Sequence, residues 1–415
     1  MERDIGNNRV AVTGLGVVTA IGGSRAEFGE HLFEGVCGIG PVRLFPTDGF
    51  PCRNAAQVED GDLEDALRLA KPRRPDRVSR CDLLGLKAAQ EAFEDAGLEG
   101  GGFDPETAGV VLGGGAGGMH SWERFQRKAL AGEGRARPSP LLAASPCTLT
   151  DLVAGRYGLR GTRATITTAC SSSTTAVGHG ADLIRAGLQE IVVTGGSESL
   201  SELTFAGFNA LRVMDPDRCR PFDRRRSGMS LGEGAAVLVL ESFDRAVARG
   251  ATVYAEVLGY AVNADAFHMT SPDPVAEGMF QVMRAALENA GVAPDEVDYV
   301  NAHGTATPVN DRLEVQALLR LFEGKRPAVS STKSQVGHCL GAAGAVETTA
   351  SVLGLFEGRF PPTVHLEAPE PGWDLDFVPG RSRRGKLEIA MVNNFAFGGN
   401  NTSLVLQRGP ARTPV

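Results

Sequence analysis

TITTACSSSTTAVGHGADLIRAG, residues 165–187, is the stretch on which the fold turns. The β-branched run 165–168 reads as a fully buried strand, and the small-residue pattern after Cys170 reads as a helix. Ser171, Ser172 and Ser173 offer N-capping hydroxyls and Gly187 offers a C-cap, which predicts a helix over about 171–186. A strand that turns directly into a helix is the building unit of a layered α/β protein. The thiol then stands at a helix N-terminus, where backbone amides and the helix dipole favour an anion. Those amides can also hold an oxyanion developing on a substrate carbonyl. A structural cysteine gains nothing from this position. A nucleophile does, so Cys170 is expected to be the one cysteine that titrates low.

Outward from this unit, strand-like runs alternate with helical ones. RVAVTGLGVV (9–18), GVVLGGG (109–115), RATITTA (163–169), EIVVTGG (190–196) and AAVLVLE (235–241) read as strands, with an amphipathic helix over 83–98. A second series follows the same plan. It has a strand at 252–262, a helix at 278–291, a strand at 297–304, the stretch 327–334, a helix at 342–358, and closing strands at 387–395 and 402–408. The prediction is an α/β chain of two similar halves, 8–252 and 253–408, packed as one body because no Pro- or Ser-rich linker divides them. A chain of 415 residues is long enough for two domain-sized units. The apolar strand 190–196, with its glycines, is expected to pair with a second copy across a two-fold axis. The tails 1–7 and 409–415 read as frayed, and 131–140 reads as an exposed loop.

A net charge of −8 argues against a general nucleic-acid binder. Cysteines 37, 52, 81, 147, 170, 219 and 339 form no CxxC pair, and no signal peptide opens the chain. No apolar run approaches the roughly 20 residues that span a bilayer. These features predict a soluble, cytoplasmic protein with reduced thiols, no membrane association and no metal site.

The thiol needs partners, and two histidines stand in matching turns. His303 lies in NAHGTATPVND after an apolar strand, and His338 lies in STKSQVGHCLGAAGAVE before a small-residue helix. Strand C-termini are where α/β sheets bind ligands. His31, His120, His179 and His365 read as ordinary core or surface residues.

TACSSS around Cys170, NAHGTATP around His303, STKSQVGHCLGAAGAVE around Lys333 and His338, and NNFAFGGNN around Phe397 follow one another in order. With these four motifs, over about residues 8–408, the chain resembles the β-ketoacyl-acyl-carrier-protein synthases of the thiolase superfamily, of the elongating, synthase II type. The resemblance implies a thiolase-like fold, two α/β halves in a five-layer αβαβα body. It implies decarboxylative condensation of an acyl thioester with malonyl-acyl carrier protein, in fatty-acid elongation or in a type II polyketide or polyene pathway, without a cofactor. By the same resemblance Cys170 carries the acyl group, His303 and His338 act on the malonyl partner, and Lys333 and Glu347 support them. Phe397, Gly398 and Gly399 belong to a gating loop near the oxyanion. Ala116, Phe208, Met229, Thr305 and Thr307 fall where substrate binds. Ala116 and Met229 depart from the bulkier aliphatic residue and the phenylalanine common at those places, which implies a roomier acyl pocket. The implied partners are acyl carrier protein and either a second copy or a related ketosynthase-like subunit.

Two other readings compete. GGGAGG (113–118) satisfies GxGxxG after a strand, but the acidic residue wanted about 20 positions on should end a second strand, and the region near 133–138, GEGRARP, reads as a loop. A catalytically silent chain-length-factor-like subunit typically lacks the cysteine present here. The basic run KPRRPDRVSR (71–80) reads as a solvated face or as a docking patch for an acidic carrier protein. In the docking reading Lys71, Arg73, Arg74 and Arg77 are extended by Arg124, Arg127 and Lys128.

Overall fold

The computed structural model describes residues 9–70, 77–132 and 138–410. Ten strands carry the architecture. In the first half they are β1 (Val10–Thr19), β2 (Ala108–Gly113), β3 (Arg163–Ile166), β4 (Ile191–Glu198) and β5 (Gly234–Ser242). In the second half they are β6 (Ala255–Ala264), β7 (Tyr299–Asn301), β8 (Ala328–Ser330), β9 (Ile389–Phe395) and β10 (Asn400–Arg408).

The first half is ordered β3-β2-β4-β5-β1 and the second β8-β7-β9-β10-β6, so each strand has a counterpart five places later. In both halves the first three strands of the row are parallel and the last two run antiparallel to their neighbours. The halves join where β1 meets β6 antiparallel, over only Ala11–Glu256 and Val12–Ala255. The short strand Asp376–Phe377 extends the second row beyond β8.

Two helices fill the space between the rows. Helix Ser172–Arg185 touches β2 and β4 on one side and β6 and β10 on the other, and helix Ala343–Glu357 touches β5 and β9. Every residue from Ala343 to Leu355 is buried, as expected of a helix covered on all sides. Helices Arg80–Asp95 and Thr148–Tyr157 cover the outer face of the first row, and Glu277–Ala290 that of the second. The result is the five-layer body expected from the resemblance.

Close helix-to-strand approach explains the glycines of β1. A Cβ on Gly16 would fall 1.9 Å from the Ala88 carbonyl oxygen, and one on Gly14 would fall 2.3 Å from that of Ala92. Both carbonyls belong to helix Arg80–Asp95.

Three sequence expectations change here. Strand β3 is not fully buried. It pairs with β2 alone, ends the row, and is exposed at Arg163 and half-buried at 164–166. The strand at 190–196, in turn, lies inside the row with β2 and β5 on its two sides, so its backbone has no free edge to offer a second copy. The serines after Cys170 do not cap the helix through their hydroxyls. Ser171 Oγ donates to the Thr168 carbonyl, Ser172 Oγ to that of Ala169, and Ser173 Oγ accepts from the Ala345 amide. They brace the turn instead. The helix end is as read: Gly187 takes a left-handed φ of 66° just beyond Arg185.

Candidate active site

Equivalent connections in the two halves build the site. After β3 the chain enters a 3-10 turn, Ala169–Ser171, and then helix Ser172–Arg185. After β8 it passes His338 into a matching 3-10 turn, Leu340–Ala342, and then helix Ala343–Glu357. Both turns open on a non-glycine residue in the left-handed region, Ala169 at φ 52° and Leu340 at φ 46°. Such backbone is held only where surroundings over-determine it, and functional turns are where it concentrates. His303 arrives from the end of β7, in the middle of its row.

Cys170, His303 and His338 open onto one cavity of about 400 Å³, within the range of small-molecule sites. The same cavity is lined by Phe208, Met229, Thr305, Thr307, Phe397, Gly398 and Gly399. Ala116 is not among its lining residues. It is half-buried in the loop after β2, and its amide donates to Glu198 Oε1 at 3.0 Å. The imidazoles of His303 and His338 stand edge to face, with centroids 5.3 Å apart. Phe397 stacks on Phe208 at 5.8 Å, and its backbone amide hydrogen-bonds the Cys170 thiol.

The hydrogen bonds fix which nitrogen of each imidazole carries the proton. His338 Nδ1 accepts the Leu340 amide at 3.2 Å, which places the ring proton on Nε2. His303 Nδ1 faces Lys333 Nζ at 3.3 Å. The Lys333 ammonium is also paired with Glu347, so it is the donor and His303 too carries its proton on Nε2. Burial and the Lys333 charge hold both histidines well below the usual imidazole range. Both are neutral N–H donors at physiological pH.

Lys333 and Glu347 are each almost fully buried. Such a pair persists only when its remaining valences are satisfied. Asn394 Nδ2 donates to Glu347 Oε2 at 2.7 Å, and Thr174 bonds Asn394 in turn. Asn394 lies outside the residues that the sequence reading singled out, as do Glu314 and Asp311. Glu314 accepts the amides of His303 at 2.8 Å and Gly304 at 2.7 Å, and burial pushes its carboxyl up to about 7. Asp311 accepts the amides of Phe222 and Ala306. One local signal was available: Thr307 caps helix Pro308–Leu321, with proline at the first turn, which puts both carboxylates on a helix behind His303.

The expected low pKa of Cys170 does not hold. The thiol is 7% exposed, and burial pushes it up to about 11, against the pull of Lys333 and the Phe397 amide. Desolvation outweighs the helix-end field. The dinucleotide reading of 113–118 also fails. The amides of Gly115, Ala116 and Gly117 are occupied by the chain's own Glu198 carboxylate, which leaves none to cradle a phosphate.

Of the basic residues singled out as a docking patch, Lys71, Arg73 and Arg74 lie outside the described residues. Arg77, Arg124, Arg127 and Lys128 are exposed, and Arg127 is ion-paired with Glu202. Among the described residues, no helix is long and apolar enough to cross a membrane.

Comparison with known proteins agrees with this geometry. Residues 7–246 match the beta-ketoacyl synthase N-terminal domain family, and residues 254–367 the beta-ketoacyl synthase C-terminal domain family. The chain is 40% identical to the 3-oxoacyl-[acyl-carrier-protein] synthase 2 of Coxiella burnetii, over 96% of this chain and 98% of that one. It is 36% identical to the enzyme of the same name from Staphylococcus aureus, over 97% and 99%. Among solved structures, the ishigamide ketosynthase/chain length factor superposes with a TM-score of 0.93 at 34% identity, covering 98% of this chain and 100% of that one. A type II polyketide synthase ketosynthase, solved in complex with its acyl-carrier protein and bound to the hexaketide, superposes with a TM-score of 0.87 at 28% identity, covering 98% and 100%. With both domain families matched in order around a shared cavity, the chain belongs to the β-ketoacyl synthase family.

Proposed function

We propose that Cys170 is the nucleophile of a decarboxylative Claisen condensation and that His303 and His338 stabilise its enolate. One observation carries this reading: a thiol and two neutral imidazoles, with their protons on Nε2, open onto a single cavity beside the Phe397 amide. The enzyme condenses an acyl thioester with malonyl-acyl carrier protein, in fatty-acid or type II polyketide synthesis.

Cys170 Sγ attacks the acyl thioester, the carbon–sulfur bond to the carrier protein breaks, and the thiol proton leaves with the released carrier thiol. The Phe397 amide donates to the carbonyl oxygen as it becomes an oxyanion. Malonyl thioester then occupies the same cavity and loses CO2. The electron pair of the broken carbon–carbon bond moves to the thioester as an enolate, whose oxygen accepts the two Nε2 protons in hydrogen bonds. The enolate carbon attacks the acyl-Cys170 carbonyl, giving the β-ketoacyl product and a thiolate that takes a proton. Thr305 and Thr307, whose hydroxyls meet at 3.0 Å on the cavity wall, are placed to orient the carrier's polar arm. Phe397, Gly398 and Gly399 line the cavity as its gating loop, with φ 88° and 74° at the two glycines.

Among the described residues, the exposed Arg77, Arg124, Arg127 and Lys128 support a docking face for an acidic carrier protein. The seven free thiols support a cytoplasmic setting. The cysteine at 170 favours a catalytic subunit over a silent, chain-length-factor-like partner.

The test separates two half-reactions. Acyl transfer from acyl-carrier protein is read by intact mass and peptide mapping, and malonyl decarboxylation by CO2 release. Cys170→Ala is expected to abolish acylation and condensation. His303→Ala and His338→Ala are expected to lower CO2 release by about 10²–10³ while acylation suffers less. An acyl group mapped to another cysteine would overturn the assignment.

A further inference from the structure

Glu198 ends β4 and is fully buried, yet no step of the reaction uses it. Its four partners are all backbone amides from two separate loops. Gly115 donates to Oε2 at 2.9 Å, and Ala116 and Gly117 each donate to Oε1 at 3.0 Å. Gly341, from the other half of the molecule, donates to Oε2 at 3.2 Å. Burial pushes the Glu198 carboxyl up to about 7, and the four amide bonds pull the other way, toward the charged form.

One of the two loops it joins follows His338, and the other abuts the turn that holds Cys170. Gly341 is the middle residue of the turn Leu340–Ala342, the place that Cys170 occupies in the turn Ala169–Ser171. The residue before Gly341, Leu340, is in the left-handed region and gives its amide to His338 Nδ1. Next to the other loop, Gly113 packs on the residues just after the nucleophile, where an added Cβ would lie 2.4 Å from the Ser173 amide nitrogen. There is no slack between the loops. A Cβ on Gly341 would fall 2.5 Å from the Gly115 nitrogen and 2.8 Å from Glu198 Oε2.

We propose that Glu198 is a positioning residue for the condensation, which pins Gly341 so that the strained Leu340 amide holds His338 in the tautomer with its proton on Nε2. Without that pin, Leu340 relaxes toward the right-handed region, its amide turns away, and Nδ1 is free to take the proton. The enolate then loses one of its two donors. Cys170 is less affected, because its own turn is braced by Ser171 and Ser172. A carboxamide cannot replace the carboxylate, since its NH2 would face amide donors.

The inference rests on the ketosynthase reading, and the wild-type enzyme must first show both half-reactions; failure there sinks that reading, not this one. Glu198→Gln is then expected to lower CO2 release from malonyl-carrier protein by about 10- to 100-fold, the scale of a small misplacement of a reacting group. Acylation of Cys170 should change by less than about threefold. Glu198→Asp keeps the charge and should recover part of the loss. Histidine 15N shifts should show His338 moving toward the Nδ1–H form in Glu198→Gln. Should that variant fail to fold, Gly341→Ala splits the same clamp and is read in the same two assays. Equal losses in acylation and CO2 release, or an unchanged His338 tautomer, would overturn the proposal.

Discussion

At the scale of the residue, burial sets the chemistry more than helix-end position does. Cys170 shows this, since a turn that should lower its pKa is overridden by desolvation. The histidines show it with the opposite sign, and a pH prediction follows. In the folded protein His303 and His338 lie well below the usual range because burial and Lys333 penalise their charged forms. In the unfolded chain they take protons near pH 6.5. Below that pH the unfolded state binds more protons, so stability is lost as pH falls. A histidine still neutral in the fold at pH 5.5 costs about 1.4 kcal/mol relative to pH 7.5. Glu198 and Glu314, pushed up to about 7, act oppositely: their contribution falls as pH rises from about 4.5 to 7. Comparing wild type with His338→Asn therefore isolates the histidine. The urea-derived stability of the variant should lose about 1.4 kcal/mol less between pH 7.5 and 5.5; equal losses would refute a neutral His338. The reacting residues were legible because each sits in a short motif beside its own turn. Glu198, Glu314 and Asn394 were not, because buried groups that bind amides from distant segments leave no spacing in the sequence.

At the scale of the element, the alternation of strands and helices was readable, and most boundaries moved by three residues or fewer. The strand expected at 297–304 shrank to Tyr299–Asn301, because the chain leaves the sheet to present His303. Helix Met119–Leu130 went unread; its exposed faces carry many polar residues and its N-terminus has no side-chain cap. The strand before the thiol was misjudged for a plain reason. A β-branched run looks the same in the middle of a row and at its edge. Glycines within β1 carry more information than the run itself, because they mark where a helix backbone touches the sheet. Gly16→Ala puts a methyl group 1.9 Å from the Ala88 carbonyl oxygen, with backbone on both sides. The substitution is expected to cost about 1–3 kcal/mol as helix Arg80–Asp95 shifts outward. Gly155→Ala, where a Cβ meets nothing within 4 Å, is the control. Matching urea midpoints for the two variants would show that the close approach carries no energy.

At the scale of the molecule, β3 leaves one edge of the eleven-strand row open. An unpaired strand edge invites pairing, and soluble proteins blunt or cover it. Here the strand is half-buried at 164–166 and leads within four residues to Cys170, so a partner on this edge would also back the nucleophile's turn. The carbonyls of Thr162 and Ile166 accept amides of Val110 and Gly114, on the β2 side. By strand alternation the Thr165 amide points to the open side. A second copy placed across a two-fold axis would pair β3 with β3, residue to residue, as an isologous interface. Sedimentation at micromolar protein is expected to give a dimer of the 43.6 kDa chain. Thr165→Pro removes the outward amide while sparing the bonds to β2, and by symmetry it acts twice. Two lost bonds at about 0.5–1.5 kcal/mol each weaken the dimer by roughly 5- to 150-fold. Thr165→Val keeps the amide and removes only the hydroxyl bond to Thr150, so it should leave the dimer intact. A wild-type chain that sediments as a monomer, or a Thr165→Pro dimer as tight as wild type, would move the interface away from this edge.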